Sequence, residues 1–230
     1  MFFLRSALFM IWFAAVTLVM GVIGLPLLLA PRKVAVFFSN AWARTVLFGL
    51  KHIAGIGMRV TGTVPRRPVL VAVKHMSTWD TLAIHVVLGD PGIVLKKSLL
   101  LIPFFGWYVG KTAAIPIDRA AGASALRFMA KRAEAVLKQG RPVVIFPEGT
   151  RQKPGAPPAY KPGVAGLYGQ LGVSCVPVAL NSGAHWQGFW KHPGTITLAF
   201  LEPIPPGLKR AEFMPILEER IEGATRALLG

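Results

Sequence analysis

Acidic residues are scarce in this 230-residue chain, and none occurs before Asp80. Lysine and arginine outnumber aspartate and glutamate by 26 to 10, which gives a formal net charge of +16. Because each Lys or Arg near an anionic lipid surface contributes about 1 kcal/mol, this imbalance predicts an anionic membrane surface as a partner. No nucleic acid is expected as a partner, since the cations lie among apolar segments and no nucleic-acid-binding motif is present. The cations before Asp80 are Arg5, Arg32, Lys33, Arg44, Lys51, Arg59, Arg66, Arg67 and Lys74.

Cysteine is also nearly absent, because Cys175 is the only one. A single cysteine excludes an internal disulfide and fits an intracellular location. Its apolar neighbours in the run 173–176 predict a small buried side chain. A nucleophilic thiol is the alternative, and it would require a neighbouring base.

Charge is missing entirely from Ser6 to Ala30. This run exceeds the roughly 20 residues with which a helix crosses a bilayer, so it predicts a membrane helix. A cleaved signal peptide is the alternative, but its apolar region would be only about 7 to 15 residues long. A second apolar stretch, Val34 to Leu50, leaves both a single span and a two-helix hairpin open.

The anchoring helices are predicted to occupy residues 1–55 and the main domain residues 56–230. The cations just after the first apolar run predict an inner (cytoplasmic) membrane protein whose active domain lies on the cytoplasmic side. These cations are Arg32, Lys33, Arg44 and Lys51.

Short β-type runs alternate with helical patterns through the rest of the chain. Apolar residues at three- and four-residue spacing predict helices over Ser124–Gln139, with Gly140 as the C-terminal cap, and over Lys209–Leu229. The fold class is therefore α/β: a mixed, largely parallel central sheet of about seven strands flanked by helices. The predicted strands are Met58–Gly62, Val69–Val73, Gly92–Leu95, Ala113–Ile117, Val143–Phe146, Ser174–Leu180 and Thr195–Leu201.

His75 and Asp80 directly follow the predicted strand Val69–Val73. A carboxylate five positions after a histidine can hold one ring nitrogen and leave the other as a base, which is an arrangement that abstracts protons. A capping box formed by Ser77 and Asp80 at the start of a helix explains the same aspartate without catalysis.

A second polar cluster follows the predicted strand Val143–Phe146. Glu148, Gly149, Thr150 and Arg151 place a carboxylate, a flexible glycine and a guanidinium together, as a clamp for a phosphate and a hydroxyl would. An ordinary β-turn with surface charges is the alternative. In an α/β sheet both clusters would lie at the carboxyl ends of strands, where ligands bind.

Three further cations accompany an aromatic and apolar surface. Lys96 and Lys97 precede the run Ile102–Trp107, and Arg119 follows Ile115–Ile117. This pairing suits a ligand with an anionic head and an apolar tail, although an ordinary core with a solvated rim has the same composition.

Four sequence blocks, in their order along the chain, resemble those of the glycerolipid acyltransferases, especially the bacterial members that acylate lysophosphatidate. The run from His75 to Asp80 resembles the His-x4-Asp block of that family. The other blocks are Pro103–Gly106 with Ile115–Arg119, Phe146–Arg151 and Val176–Asn181. The resemblance covers about residues 74–182.

The resemblance implies an acyl transfer to lysophosphatidate from acyl-CoA or acyl-carrier protein, with no metal and no cofactor. His75 would take the proton from the sn-2 hydroxyl, and Asp80 would orient the ring. Glu148 and Gly149 would position the glycerol, and Arg151 would bind the phosphate with help from Arg119.

Three other functions remain open at this stage. The acceptor could be another lysolipid, such as a lyso-ornithine lipid or lysophosphatidylglycerol. A thioesterase would use the same histidine to activate water. The thioesterase would not require a cation at Arg151. A lipid-binding protein without catalysis would not require His75, Asp80, Glu148 and Arg151 together.

Overall fold

The computed structural model describes residues 2–112, 114–118 and 122–230. The helices are α1 (Phe2–Ile23), α2 (Arg32–Ala54), α3 (Trp79–Leu88), α4 (Phe105–Lys111), α5 (Gly122–Lys138), α6 (Gly163–Leu171), α7 (Ser182–His185) and α8 (Arg210–Leu229), with short 3-10 helices at Leu25–Leu28 and Lys97–Leu101. The strands are β1 (Ile56–Thr61), β2 (Leu70–Val73), β3 (Gly92–Lys96), β4 (Ile115–Ile117), β5 (Val143–Ile145), β6 (Cys175–Leu180), β7 (Trp186–Gln187), β8 (Trp190–Lys191) and β9 (Gly194–Phe200).

The central sheet has seven strands in the order β1-β9-β6-β2-β5-β3-β4. Every neighbouring pair is parallel except β6 and β9, which run antiparallel. The prediction of a mixed, largely parallel sheet is therefore confirmed. The two-residue strands β7 and β8, which form a separate hairpin, were not predicted.

Strand β2 shows how the sheet is buried on both faces. Leu70 and Ala72 belong to a core with α5, α6 and α8, whereas Val71 and Val73 belong to a second core with α1, α2 and α3. Successive strand residues point to opposite faces, so a strand covered by helices on both sides must be apolar at every position. All four residues of β2 are fully buried.

Both predicted helices of the domain are present. Helix α5 begins at Gly122, two residues before the predicted start, and ends at Lys138. Gly140 follows it with a φ of 75°, a left-handed conformation that glycine adopts without steric cost and that commonly ends helices. Helix α8 spans Arg210–Leu229, within one residue of the prediction.

Helices α1 and α2 form an antiparallel pair. Trp12 Nε1 donates to the Thr45 carbonyl at 3.2 Å, and Trp42 Nε1 donates to Thr17 Oγ1 at 3.2 Å. The indole of Trp12 fills the space beside Gly49, where a Cβ atom would come within 2.0 Å of Nε1. This pair agrees with the hairpin alternative. Among the described helices, α1 alone is long and apolar enough to cross a bilayer.

Helix α1 contacts the domain near both of its ends. Near its start, Ser6 Oγ accepts a hydrogen bond of 2.9 Å from the Lys191 backbone N–H, and the Phe9 ring meets Trp186 edge-on at 5.3 Å. Near its end, Gly21 packs against the Phe104 ring. The opposite side of α1 is exposed and apolar. The helix therefore lies along the domain surface instead of projecting away from it.

An ion-pair cluster joins the start of α2 to the domain. Both Arg32 guanidinium nitrogens donate to the Asp90 carboxylate at 2.7 Å, and Arg141 Nη2 lies 2.8 Å from the same carboxylate. Asp90 raises the pKa of Arg32 through the hydrogen bond, whereas burial lowers the pKa of Arg141. Bidentate arginine–carboxylate pairs fix orientation as well as distance, so Asp90 sets how the helix pair meets α3 and β5.

We expect Asp90→Asn to lower the free energy of unfolding by about 2 kcal/mol, because it removes the charge that two arginines share. Thermal unfolding in detergent measures this change. The exposed pair Lys138–Glu134, at 2.6 Å, provides the control. Glu134→Gln should leave the unfolding temperature unchanged, since exposed pairs contribute little. Equal behaviour of the two variants would contradict a structural role for Asp90.

Candidate active site

The predicted pair His75 and Asp80 comes together where β2 ends and α3 begins. His75 Nδ1 lies 3.0 Å from Asp80 Oδ2, and the aspartate side chain is fully buried. The same oxygen accepts the backbone N–H groups of Met76 at 2.6 Å and Ser77 at 2.8 Å. A carboxylate oxygen held by two backbone N–H groups presents a fixed acceptor to the imidazole ring.

The capping alternative and the catalytic one describe the same carboxylate. Asp80 accepts the Ser77 N–H, while Ser77 Oγ accepts the Trp79 N–H at 3.2 Å. Helix α3 begins at Trp79, so Thr78 and not Ser77 is at its N-cap, and Thr78 makes no side-chain cap hydrogen bond. The predicted capping box is therefore not formed, although Ser77 and Asp80 do contact each other. The second oxygen, Oδ1, accepts hydrogen bonds from Ser77 Oγ and Ser182 Oγ. Asp80 therefore orders the start of α3 and contacts His75 at once.

The His75 ring is clamped between this carboxylate and an aromatic side chain. Its plane stacks on Phe146, with 4.1 Å between ring centroids. Because Asp80 is an acceptor, it favours the tautomer with the proton on Nδ1 and the lone pair on Nε2. His75 is one of the residues that line a large cavity. The ring can therefore act as a base toward a ligand in that cavity.

The second polar cluster lies next to the first because β2 and β5 are parallel neighbours. The Gly149 N–H donates to the Phe146 carbonyl at 3.0 Å and closes a turn directly after β5. Gly149 has a φ of 70°, a conformation that penalises any side chain. The Gln152 N–H donates to the His75 carbonyl at 2.8 Å, which fixes this turn beside the histidine.

Glu148 is the buried member of that turn, with no exposed surface. Lys74 Nζ lies 3.1 Å from Glu148 Oε1, although the angle leaves both carboxylate oxygens without a well-aligned hydrogen bond. Burial raises the pKa of Glu148, and the charge of Lys74 opposes that rise. A buried carboxylate without a well-aligned partner accepts a strong hydrogen bond when a ligand brings a hydroxyl group within reach.

The cavity has a volume of about 1080 Å³ and joins the two clusters to the helix pair. Its polar wall includes His75, Glu148, Gly149, Thr150 and Arg151. Its apolar wall comes from both N-terminal helices, α3, α4 and α5, and includes Phe13, Met20, Trp42, Leu82, Val109 and Met129. Such a space suits a ligand with a polar reacting group and a long hydrocarbon chain.

The remaining predicted site residues differ in their placement. Lys96 ends β3 and lines the cavity, whereas Lys97 begins the adjacent 3-10 helix and is exposed. Lys97 is not among the residues that form the cavity wall. Arg119 lies outside the described residues. Arg151 is exposed, as a cation at a cavity mouth must be to meet an incoming anionic group.

Four residues of this region were not predicted as site residues. Lys74 and Ser182 are buried against Glu148 and Asp80, while Lys161 and Arg210 line the cavity. The position of Lys74 directly before His75 was an available signal. For Ser182 and Arg210 the sequence contains no such signal, because their contacts join segments that are far apart in the chain.

The prediction that Cys175 is buried is confirmed. Its side chain has no exposed surface, and burial raises the pKa of its thiol. A buried protonated thiol is a poor nucleophile. No group of three or more His, Cys, Asp or Glu side chains suited to a metal ion occurs within the described ranges.

Comparison with known proteins agrees with this geometry. The profile of the Acyltransferase family matches residues 57–181. A 1-acyl-sn-glycerol-3-phosphate acyltransferase of Pseudomonas aeruginosa is 35% identical over 84% of this chain and 77% of its own length. One from Chlamydomonas reinhardtii is 27% identical over 88% of this chain, which spans only 64% of that relative.

A solved structure has the same fold. The 1-acyl-sn-glycerophosphate acyltransferase PlsC of Thermotoga maritima superposes with a TM-score of 0.81, covering 99% of this chain and 98% of the other at 21% identity. The family match includes the turn after β2, the turn after β5 and strand β6. The chain therefore belongs to the acyltransferase family.

Proposed function

We propose that this protein transfers an acyl chain from acyl-CoA or acyl-carrier protein to the sn-2 hydroxyl of lysophosphatidate and so forms phosphatidate in phospholipid biosynthesis. The observation that carries the proposal is the His75–Asp80 pair, whose histidine lies on the wall of a cavity that is also lined by Glu148 and Arg151. The names of the relatives support the same substrate pair.

The reaction proceeds by direct transfer. His75 Nε2 takes the proton of the sn-2 hydroxyl as that oxygen attacks the thioester carbonyl carbon. Collapse of the tetrahedral intermediate forms the ester bond and breaks the carbon–sulfur bond. The imidazolium returns its proton to the departing thiolate, while Asp80 stabilises the charged ring. No covalent acyl-enzyme is formed, which agrees with a protonated, buried Cys175.

The turn after β5 holds the acceptor. The carboxylate of Glu148 accepts a hydrogen bond from the glycerol part of lysophosphatidate, and the exposed guanidinium of Arg151 binds its phosphate as a bidentate partner. Arg119 assists Arg151, and Thr150 belongs to the same wall. Lys96 supplies another cation at the cavity, and Lys97 lies beside it for the anionic groups of the donor.

His75→Ala should lower kcat for acyl transfer by about 10³-fold, because it removes the base from the reaction. Transfer of radiolabelled acyl chains from acyl-CoA to lysophosphatidate, with purified protein in detergent, measures this loss. Retained wild-type turnover in the folded variant would refute the proposed mechanism.

The same assay separates the alternatives when it includes a panel of acceptors. Free fatty acid as the main product would establish a thioesterase, and activity toward only a nitrogen-containing lysolipid would assign another acceptor. The apolar walls of the cavity favour transfer over hydrolysis, because they leave little room for water around the thioester.

Gly149→Ala should lower kcat/KM for lysophosphatidate by about tenfold, since an alanine at a φ of 70° costs about 1 to 2 kcal/mol and tilts the Glu148 turn. Steady-state kinetics with lysophosphatidate as the varied substrate measures the loss. The matched control is Gly169→Ala in α6, where no atom lies within 4 Å of the new Cβ. That variant should keep full activity and gain stability, because alanine favours helix.

The N-terminal helices are proposed to anchor the protein to the cytoplasmic leaflet of the inner membrane. Residues 1–55 form the anchor in this proposal, and residues 56–230 form the catalytic domain. Because α1 contacts the domain from Ser6 to Gly21, its exposed apolar side inserts into one leaflet instead of crossing the bilayer. The surrounding cations then face the anionic lipid headgroups.

Phe37→Glu should weaken binding to anionic vesicles about tenfold, since Phe37 on α2 is 75% exposed and its burial in lipid is favourable by about 1.5 to 3 kcal/mol. Vesicle flotation measures the bound fraction. Phe128→Glu is the matched control, because Phe128 is 48% exposed on α5, which packs on the other face of the sheet. A similar loss in both variants would contradict the proposed membrane face.

A further inference from the structure

Lys74 forms a buried charge cluster directly before the candidate base His75. Its Nζ lies 2.6 Å from Glu222 Oε1 on α8 and 3.1 Å from Glu148 Oε1 in the turn after β5. Tyr160 Oη donates to the same Glu222 oxygen at 2.9 Å. Four segments of the chain thus meet in one cluster around Lys74, a residue that is only 2% exposed.

A buried ion-pair cluster of this kind contributes little net free energy to the stability of a fold. Removing an ammonium group from water is costly, and the ion pairs it gains inside a protein often do no more than offset that cost. An apolar side chain of similar volume would fill the position between β2 and α8 as well. What an apolar residue could not do is fix the Glu148 carboxylate on the cavity wall.

We propose that Lys74 is a positioning residue for the acceptor site: its ion pair holds the Glu148 carboxylate beside His75, and Glu222 holds Lys74 in place. The inference rests on the proposed function, in which Glu148 contacts the glycerol part of lysophosphatidate. Lys74 itself does not line the cavity, so it acts through Glu148.

The cluster contains one cation between two carboxylates, so Glu148 and Glu222 compete for the same ammonium group. Loss of the Lys74 charge would leave Glu148 unpaired and would raise its pKa further. Loss of the Glu222 charge would leave Lys74 to Glu148 alone and would lower the pKa of Glu148. The two changes therefore shift the ionisation of Glu148 in opposite directions, which a purely structural role would not do.

Several other titratable groups lie around this cluster. Tyr160 remains protonated, because burial and the nearby carboxylates raise its pKa. The titratable groups around Glu148 and its partners are Lys74 and His75 after β2, Asp80 on α3, Tyr160 in the loop before α6, and Glu218 and Glu222 on α8.

The first measurement separates acceptor from donor. Lys74→Met, of similar volume and without charge, should lower kcat/KM for lysophosphatidate at least about tenfold while the KM for acyl-CoA stays within about twofold. Lys138→Met is the control, because Lys138 forms an exposed pair with Glu134. That control should keep wild-type kinetics for both substrates. Equal losses for both substrates in Lys74→Met would overturn the proposal.

The second measurement follows the charge of Glu148. In a His75→Ala background, which removes turnover, the Kd for 1-oleoyl-lysophosphatidate in mixed micelles is measured across pH with and without each substitution. As the pH is lowered, binding by Lys74→Met should begin to weaken at a higher pH than binding by its parent, because Glu148 with a raised pKa is protonated sooner. Glu222→Gln should keep binding to lower pH than its parent, because Lys74 then serves Glu148 alone.

Opposite shifts of the two profiles support the proposal, and shifts in one direction or none overturn it. If Lys74→Met does not fold, Glu222→Gln decides alone, since the amide keeps the volume and can still accept from Tyr160. Failure of the wild type to bind or acylate lysophosphatidate would instead refute the proposed function. Lys74 is then tested in the same way with whichever lysolipid the acceptor panel identifies.

Discussion

The whole reaction centre depends on one buried carboxylate. Asp80 receives two backbone N–H groups, two serine hydroxyls and the His75 ring. A group with this many fixed donors cannot rotate without losing several hydrogen bonds in a region that offers no water in exchange. The orientation of the imidazole is therefore set before any substrate arrives, which is the condition under which a base contributes most to a reaction.

The parallel pairing of β2 and β5 extends this order to the proposed acceptor site. Since both strands end at the same edge of the sheet, the turns that follow them lie side by side and are tied by the hydrogen bond from Gln152 to His75. A flexible loop could carry the same residues, but it would have to be ordered on each binding event. The sheet therefore holds the turns after β2 and β5 close together before any ligand binds.

Much of this architecture follows from local sequence. The seven strands are short apolar runs between turn residues, and the predicted fold and family are confirmed. The roles of His75, Glu148 and Arg151 stay predictions. What sequence could not predict is long-range pairing: Lys74 meets Glu222, 148 positions away, and Ser77 meets Ser182, 105 positions away. Hairpin β7–β8 is missed because two-residue strands have no detectable periodicity.

The N-terminal helices connect membrane association to the chemistry. Both helices contribute side chains to the cavity that contains His75, so the surface that faces lipid and the wall that holds a hydrocarbon chain belong to the same pair of helices. A lysolipid has one chain that prefers the bilayer and a polar head that prefers the interface. In the proposed arrangement, helices lying in one leaflet let the head reach the turn after β5 while the chain stays in an apolar environment throughout. The cost of extracting the chain into water, about 0.8 kcal/mol for each methylene, then never arises.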